Sequence, residues 1–165
     1  MKTNILKLFT LSTLLISTFS NSCVLTSVDM KNNKLTNQTD KCNIEFKAID
    51  DAKVTLIAKD QQDLRKVDFT GMDSSKSYMI ILNNNKSLKR IKLGNIYNID
   101  LINISNTKIE NLLFMSNIER SNIYVNQRIT TFPNNSSIFC KSYRKGMINI
   151  KPFLNDLLAD EACRK

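Results

Sequence analysis

The stretch LINISNTKIENLLFMSNI, Leu101–Ile118, places apolar side chains at short, regular intervals among asparagines and serines. Ile102 and Ile104 alternate with polar residues, as in a β-strand that buries one face, and Leu112 and Phe114 repeat this pattern ten residues later. Asparagine and isoleucine are abundant throughout the chain, so such spacing can arise from composition alone. Whether the spacing continues beyond this stretch therefore decides between a repeat and a coincidence.

Similar apolar pairs, each separated by one residue, occur on both sides of this stretch. From Val54 onward they follow at steps of 10 to 13 residues, so every second pair recurs after 21 to 26 residues. Stacked coils with two short strands each need a period of this length. The pairs begin at Val54, Val67, Ile80, Ile91, Ile102, Leu112 and Ile123. We therefore expect a mainly β fold with a C-terminal helix, arranged as a short solenoid.

Two other arrangements fit the same spacing. An antiparallel β-sheet domain capped by a helix would also carry short, evenly spaced strands, and it is the main alternative. Alternating residues in Ile44–Ala48 and in Val54–Ala58, with a polar turn between them, predict one antiparallel hairpin in either case. A frame of five residues, INISN followed by TKIEN, resembles pentapeptide repeats and implies another kind of solenoid.

Two segments resemble the strand segment of leucine-rich repeats, whose pattern is Leu-x-x-Leu-x-Leu-x-x-Asn-x-Leu. They are LKRIKLGNI from Leu88 and IDLINISNTKI from Ile99. In the second segment Thr107 stands where the family has the asparagine that bonds the backbone of neighbouring coils. Its apolar positions are Ile99, Ile102, Ile104 and Ile109. The resemblance extends from Leu64 to Ile129 and implies a leucine-rich-repeat-like solenoid.

The N-terminal sequence MKTNILKLFTLSTLLISTFSNSC has the layout of a secretory signal peptide. Two lysines precede a short apolar core, and small residues lead to Ser22, so we expect residues 1–22 to be removed and the protein to be exported. The segment also resembles a bacterial lipoprotein signal, which implies lipidation of Cys23 and membrane attachment. Residues 23–42 are polar and unpatterned and are predicted to be a flexible lead-in to one domain at 43–165.

The four cysteines form an even set in a chain predicted to be exported. Cys23, Cys42, Cys140 and Cys163 allow three connectivities in an oxidising compartment. If both bridges join sequence neighbours, Cys23 pairs with Cys42 and Cys140 pairs with Cys163, which fixes each end of the domain. Lipidation of Cys23 would leave one thiol unpaired.

The composition argues against catalysis and against metal binding. The chain contains no histidine, which removes the commonest general base and the imidazole metal ligands. It also has no Cys-x-x-Cys pair and no glycine-rich phosphate loop. We therefore expect no enzyme activity, no cofactor and no metal site.

The formal net charge of +9 comes largely from lysine. Basic residues cluster in KSLKRIKLG, from Lys86, and in CKSYRKG, from Cys140. Such clusters can contact anionic lipid headgroups, acidic glycans or nucleic acid, although most are ordinary solvated surface. Nucleic acid is not expected as a partner, because the aromatic residues that stack bases are not interleaved with arginine here.

The sequence KPFLNDLLADEACRK predicts a C-terminal helix over residues 152–163, with Pro152 in its first turn. Phe153, Leu154, Leu157 and Leu158 fall on one side at helical spacing. This apolar stripe is expected to pack on the domain and to cap its open end.

These features favour an exported, non-enzymatic binding protein that recognises another protein through a face lined by strands. Candidate residues on that face are Asn103, Lys108 and Tyr124, chosen from strand alternation. The alternative is a lipid-anchored envelope lipoprotein of structural or accessory role, attached through Cys23.

Overall fold

The computed structural model describes residues 23–32, 47–50 and 53–164 of the chain. These residues form two β-sheets with a helix at the C-terminal end, which confirms the mainly β class. The predicted signal peptide at 1–22 and residues 33–42 of the lead-in, which include Cys42, lie outside the described residues. No helix within the described ranges is long and apolar enough to cross a membrane.

The large sheet has six strands in the order β2-β3-β5-β7-β8-β9, and the small sheet has three in the order β1-β4-β6. The large sheet is made of β2 (Lys47–Asp50), β3 (Lys53–Ile57), β5 (Ser77–Ile81), β7 (Asn98–Asn103), β8 (Arg120–Tyr124) and β9 (Ile148–Lys151). The small sheet is made of β1 (Cys23–Thr26), β4 (Leu64–Asp68) and β6 (Arg90–Lys92). The helices are α1 (Ser27–Asn32), α2 (Ile138–Arg144) and α3 (Phe153–Arg164).

The chain passes back and forth between the sheets from β3 to β7, so each strand pairs with the second strand after it and not with the next. These pairings are parallel, and they join residues such as Leu56 with Ile80 and Ile80 with Ile102. The antiparallel alternative is therefore wrong for this domain. Even spacing could not reveal this, because turns of similar length can lead either back to the same sheet or across to another.

The predicted hairpin is confirmed. Its two strands pair antiparallel, whereas the other described strand pairings are parallel. Ala48 of β2 lies opposite Leu56 of β3, and Asp50 lies opposite Val54. Alternating residues separated by a short polar turn were sufficient to locate it.

The inward residues of both sheets form one apolar core. Leu56, Ile80 and Ile102 of the large sheet and Leu64 and Val67 of the small sheet are fully buried or nearly so. The rings of Phe69 and Tyr78 meet edge to face, with centroids 6.3 Å apart. Because the core lies between the sheets, their two outer faces point away from each other.

Buried polar side chains bind the backbone where the strands of the large sheet end. The side-chain amide of Asn85 donates to the carbonyls of Leu82 and Ala58 at 2.9 and 2.5 Å, and the buried Asn85 accepts from the Gln61 N–H at 2.7 Å. These carbonyls leave the ladder at a corner and would otherwise be buried without a partner.

Thr107 lies at the equivalent corner after β7, the strand that pairs with β5. Its hydroxyl donates to the Ile104 carbonyl at 2.8 Å, and the amide nitrogen of Gln127 lies 3.0 Å from the same carbonyl. The short side chain of Thr107 and the longer one of Gln127, from the next corner, thus together bind the carbonyl of this corner. At the previous corner Asn85 binds the carbonyl alone. Sequence comparison with the repeat pattern could identify the Thr107 position but not the role of Gln127.

Helix α3 is present within one residue of its predicted bounds, but its predicted orientation is wrong. The helix buries Asn155, Ala159 and Cys163, and it leaves Phe153, Leu154 and Leu157 exposed. Asn155, which is 1% exposed, donates to the Val125 and Gln127 carbonyls at 2.9 and 3.0 Å and accepts from the Ile129 N–H at 3.0 Å. These bonds fix the inward side of the helix, so three of the four predicted stripe residues face outward and Leu158 is partly buried.

The predicted Cys140–Cys163 disulfide is confirmed and joins α2 to α3, with the two Cα atoms 5.0 Å apart. Ser137 caps α2 by accepting from the Cys140 N–H at 3.1 Å. The half-buried Tyr143 hydroxyl donates to the Asp156 carboxylate at 2.8 Å, and burial together with this bond raises the pKa of Tyr143 above its ordinary value. The two helices thus form one cap at this end of the sheet.

Part of the predicted lead-in is folded. Residues 23–32 form β1 and α1, and β1 pairs in parallel with β4, placing Leu25 opposite Val67. Leu25 and Met30 are buried in the core. A strand of four residues carries too little alternation to be read from sequence, and its partner lies far along the chain. Residues 33–42 of the lead-in are outside the described ranges.

Replacing Asn155 with alanine tests the inward side of α3. We expect Asn155→Ala to lower the free energy of unfolding by about 2–4 kcal/mol, because it leaves two carbonyls and one N–H without partners. Asn149→Ala on the exposed side of β9 is the matched control and should change it by no more than about 0.5 kcal/mol. Denaturant titrations of both variants measure the difference; equal effects would contradict the described contacts.

Candidate interaction site

The outer face of the large sheet, here called the outer sheet face, consists of two rows of side chains that cross the parallel strands. The strand register defines both rows. One row is Thr55, Met79, Leu101, Asn122 and Asn149, and the other is Ile57, Ile81, Asn103, Tyr124 and Lys151. Inward residues between these positions belong to the core.

The outer sheet face changes from apolar to polar across the sheet. On β3, β5 and β7 it carries Ile57, Met79, Ile81 and Leu101, and Met79 is 40% exposed. Polar side chains predominate on β8 and β9. Among the described helices, α1 contacts β1 and the edge strand β2, and α2 and α3 contact β8 and β9, so none of the main helix contacts falls on β3, β5 or β7.

Two of the three predicted face residues are neighbours. Asn103 of β7 lies opposite Tyr124 of β8, and the Lys151 ammonium lies 5.8 Å from the centre of the Tyr124 ring. Lys108 is exposed but lies beyond the end of β7, where it lines a separate polar groove. Strand alternation found the first two because they lie on strands, and it misplaced Lys108 because the chain has already turned the corner there.

The polar groove beside Lys108 contains a ladder of side chains that follows the strand ends. Asn84 donates to Asp60 at 2.8 Å, Asn106 donates to Asn84 at 2.7 Å, and Asn126 donates to Asn106 at 2.6 Å. Asp60, Asn84 and Asn106 have positive φ angles, a conformation that Asn and Asp adopt more readily than other non-glycine residues. The ladder uses these amides to hold successive corners together.

A groove of about 600 Å³ joins the outer sheet face to α3. Tyr124 and Lys151 form its sheet side, and Phe153 and Asp156 form its helix side. Phe153 is 70% exposed, and Leu154 and Leu157 continue the apolar surface along the helix. The sequence predicted this stripe at helical spacing but placed it against the domain, so its position in an exposed surface was missed.

Charged residues mark one margin of the outer sheet face. Asp100 of β7 lies 3.5 Å from Lys53 of β3 and 3.6 Å from Arg120 of β8. Pairs this exposed contribute little to stability, about 0–1 kcal/mol each. They give this margin a fixed pattern of charge beside the apolar residues.

No protein-family model matches the chain, and comparisons with curated proteins and with solved structures found no match. The candidate site is therefore defined by its own geometry.

Two substitutions in α3 test which side of the helix is free. Leu157→Ser should change the free energy of unfolding by no more than about 0.5 kcal/mol, because the side chain lies on the surface. Ala159→Leu should lower it by about 1–3 kcal/mol, because Ala159 is fully buried and the larger side chain must displace its neighbours. The opposite ranking in thermal or chemical unfolding would restore the orientation predicted from the leucine stripe.

Proposed function

We propose that this chain is an exported, non-enzymatic binding protein that recognises another protein through the outer sheet face and the adjoining stripe of α3. The observation that carries this proposal is the uncovered face of a parallel sheet. Parallel sheets normally have both faces covered by the helices that connect their strands. Here the apolar side chains of β3, β5 and β7 face outward with no described element over them.

The composition of this surface supports a protein as the partner. Exposed apolar patches rimmed by polar residues are typical of protein interaction sites. Met79 provides an adaptable side chain, while Tyr124 and Phe153 provide rigid aromatic ones that often dominate binding energy. The groove between Tyr124 and Phe153 could receive one side chain of the partner, with Asp156 and Lys151 supplying opposite charges at its margin.

The scaffold that presents this surface is, in our proposal, a short solenoid of leucine-rich-repeat character. The alternation between the sheets supports it, as does the binding of successive corner carbonyls by Asn85, by Thr107 with Gln127, and by Asn155. Strand partners lie 21 to 27 residues apart in sequence along the large sheet, which also fits one coil per pairing.

Export is supported by the Cys140–Cys163 disulfide, because structural disulfides persist in oxidising compartments. Between the two forms of export, the position of Cys23 favours the one without lipid. Its side chain is 2% exposed at the start of β1, opposite Leu64 of β4. Lipidation would force this sulfur out of the core, and the pairing of Cys23 with Leu64 in the small sheet would be lost.

Photocrosslinking tests the proposed binding face. A photoreactive amino acid replacing Tyr124 should form a covalent adduct with one defined protein from the exported fraction of the native host. Excess unlabelled wild-type protein should suppress the adduct. A Met79→Asp, Phe153→Asp competitor should fail to do so, because two carboxylates would replace the apolar contacts.

The matched competitor is Met147→Asp, Ile138→Asp. Its two side chains are about as exposed as Met79, but neither belongs to the outer sheet face or to the groove. It should suppress the adduct as well as wild type does. Equal behaviour of the two double variants, or adducts with many proteins in similar yield, would contradict the proposal.

A further inference from the structure

A third groove, here called the basic groove, lies on the outer face of the small sheet and along its β6 edge. It encloses about 240 Å³. Four of its lining residues are cations and none is a carboxylate: Lys66, Lys89, Arg90 and Lys92. The remaining lining residues are Ile91, Ile109, Asn111 and Phe114. Because the two sheets face each other across the core, this groove points away from the outer sheet face.

The strand register brings like charges together in this groove. Lys66 of β4 lies directly opposite Arg90 of β6, and like charges in this position destabilise a sheet. Asp68, next to the groove, binds Lys66 at 2.9 Å. Although its burial acts in the opposite direction, hydrogen bonds with Thr70 and Lys66 lower the pKa of Asp68 to about 2, so it stays ionised and engaged.

The other three cations have no such partner. Within the described part of the chain, Lys89, Arg90 and Lys92 form no ion pair. Asp68, which is already bound to Lys66, lies opposite Lys92 in the register, so these cations share one carboxylate and leave a net positive charge on this side of the sheet. A surface carrying anions would remove the repulsion that the register creates.

An apolar turn borders the groove, and the residue before its lining residue Phe114 is exposed. Leu113–Met115 form a single 3-10 turn in which Phe114 lines the groove and Leu113 is 50% exposed. An apolar residue next to basic ones is the combination that surface-bound proteins place at the boundary between lipid headgroups and acyl chains. Lysine and arginine suit this position because their stems are apolar and their heads reach the phosphates.

We propose that the basic groove docks this protein onto an anionic phospholipid surface. In this arrangement Lys89, Arg90 and Lys92 contact lipid phosphates, and Leu113 enters the headgroup region. A membrane fits better than one bound small anion, because the cations are spread along a sheet edge and an apolar residue accompanies them. This contact is independent of any lipid on Cys23, and it would leave the outer sheet face directed away from the membrane.

Vesicle binding tests this proposal with the protein exported and processed from its full chain. We expect sedimentation with phosphatidylcholine vesicles that contain about 30% phosphatidylglycerol, weakening as salt rises above physiological strength. The triple variant Lys89→Gln, Arg90→Gln, Lys92→Gln should bind these vesicles about a hundredfold more weakly. The reason is that each basic residue near an anionic bilayer contributes roughly fivefold in affinity. Leu113→Asn should weaken vesicle binding but leave binding to a soluble sulfated polysaccharide unchanged.

The matched control removes the same charge elsewhere. Lys59, Lys141 and Lys145 are exposed, form no described ion pair and lie outside the groove, so their triple glutamine variant should stay within about fivefold of wild type. Equal losses in the two triple variants would mean that only net charge matters and would overturn the proposal. Binding to the polysaccharide without binding to vesicles, or equal binding to uncharged vesicles, would overturn it as well.

Discussion

From β3 onward, strands whose paired residues lie 21 to 27 positions apart in the sequence pair in parallel. The rest of this structure depends on this constraint. It forces the chain to turn sharp corners, and at each corner a carbonyl leaves the hydrogen-bond ladder inside the protein. Buried Asn85 and Asn155, and Thr107 assisted by Gln127, supply the missing donors. Burying polar groups without such partners would be costly, so the chain can turn only where a side chain is placed to bind the carbonyl.

The same constraint explains the orientation of the C-terminal helix. Asn155 must face inward to bind Val125 and Gln127, and the Cys140–Cys163 disulfide holds the other end of the helix in place. With those two points fixed, Leu154 and Leu157 face outward beside Phe153. The exposed apolar stripe is thus a consequence of satisfying polar groups, and in our proposal it contacts the partner.

The sequence allowed the strands, the hairpin, the helix bounds and one disulfide to be predicted, because each has a local signal or a fixed spacing. It left the parallel and the antiparallel order both open, since the spacing of strands does not show which sheet each one joins. The helix orientation failed because hydrophobic periodicity assumes that the apolar side is buried, whereas here the inward residues are an asparagine, an alanine and a cysteine. Asn103 and Tyr124 could be placed on one face by alternation, but the groove with Phe153 required the three-dimensional packing.

The two proposed contacts lie on opposite sides of the molecule and differ in chemistry. The outer sheet face is apolar on β3, β5 and β7 and carries Tyr124 on β8 near Phe153 of α3, which suits a protein partner. The basic groove has three cations without ion pairs among the described residues, which suits an anionic surface. A protein with this arrangement could hold its partner at a membrane without spanning it.

The distance between positions 55 and 149 on the outer sheet face tests the order of the strands most directly. Spin labels carried by non-cysteine amino acids at these positions would leave the disulfides intact. Four strand spacings separate β3 from β9 in the sheet, which predicts a backbone separation of about 19 Å. A separation near 29 Å, as expected for about six spacings in a sheet that follows the chain order, would contradict the alternation between two sheets.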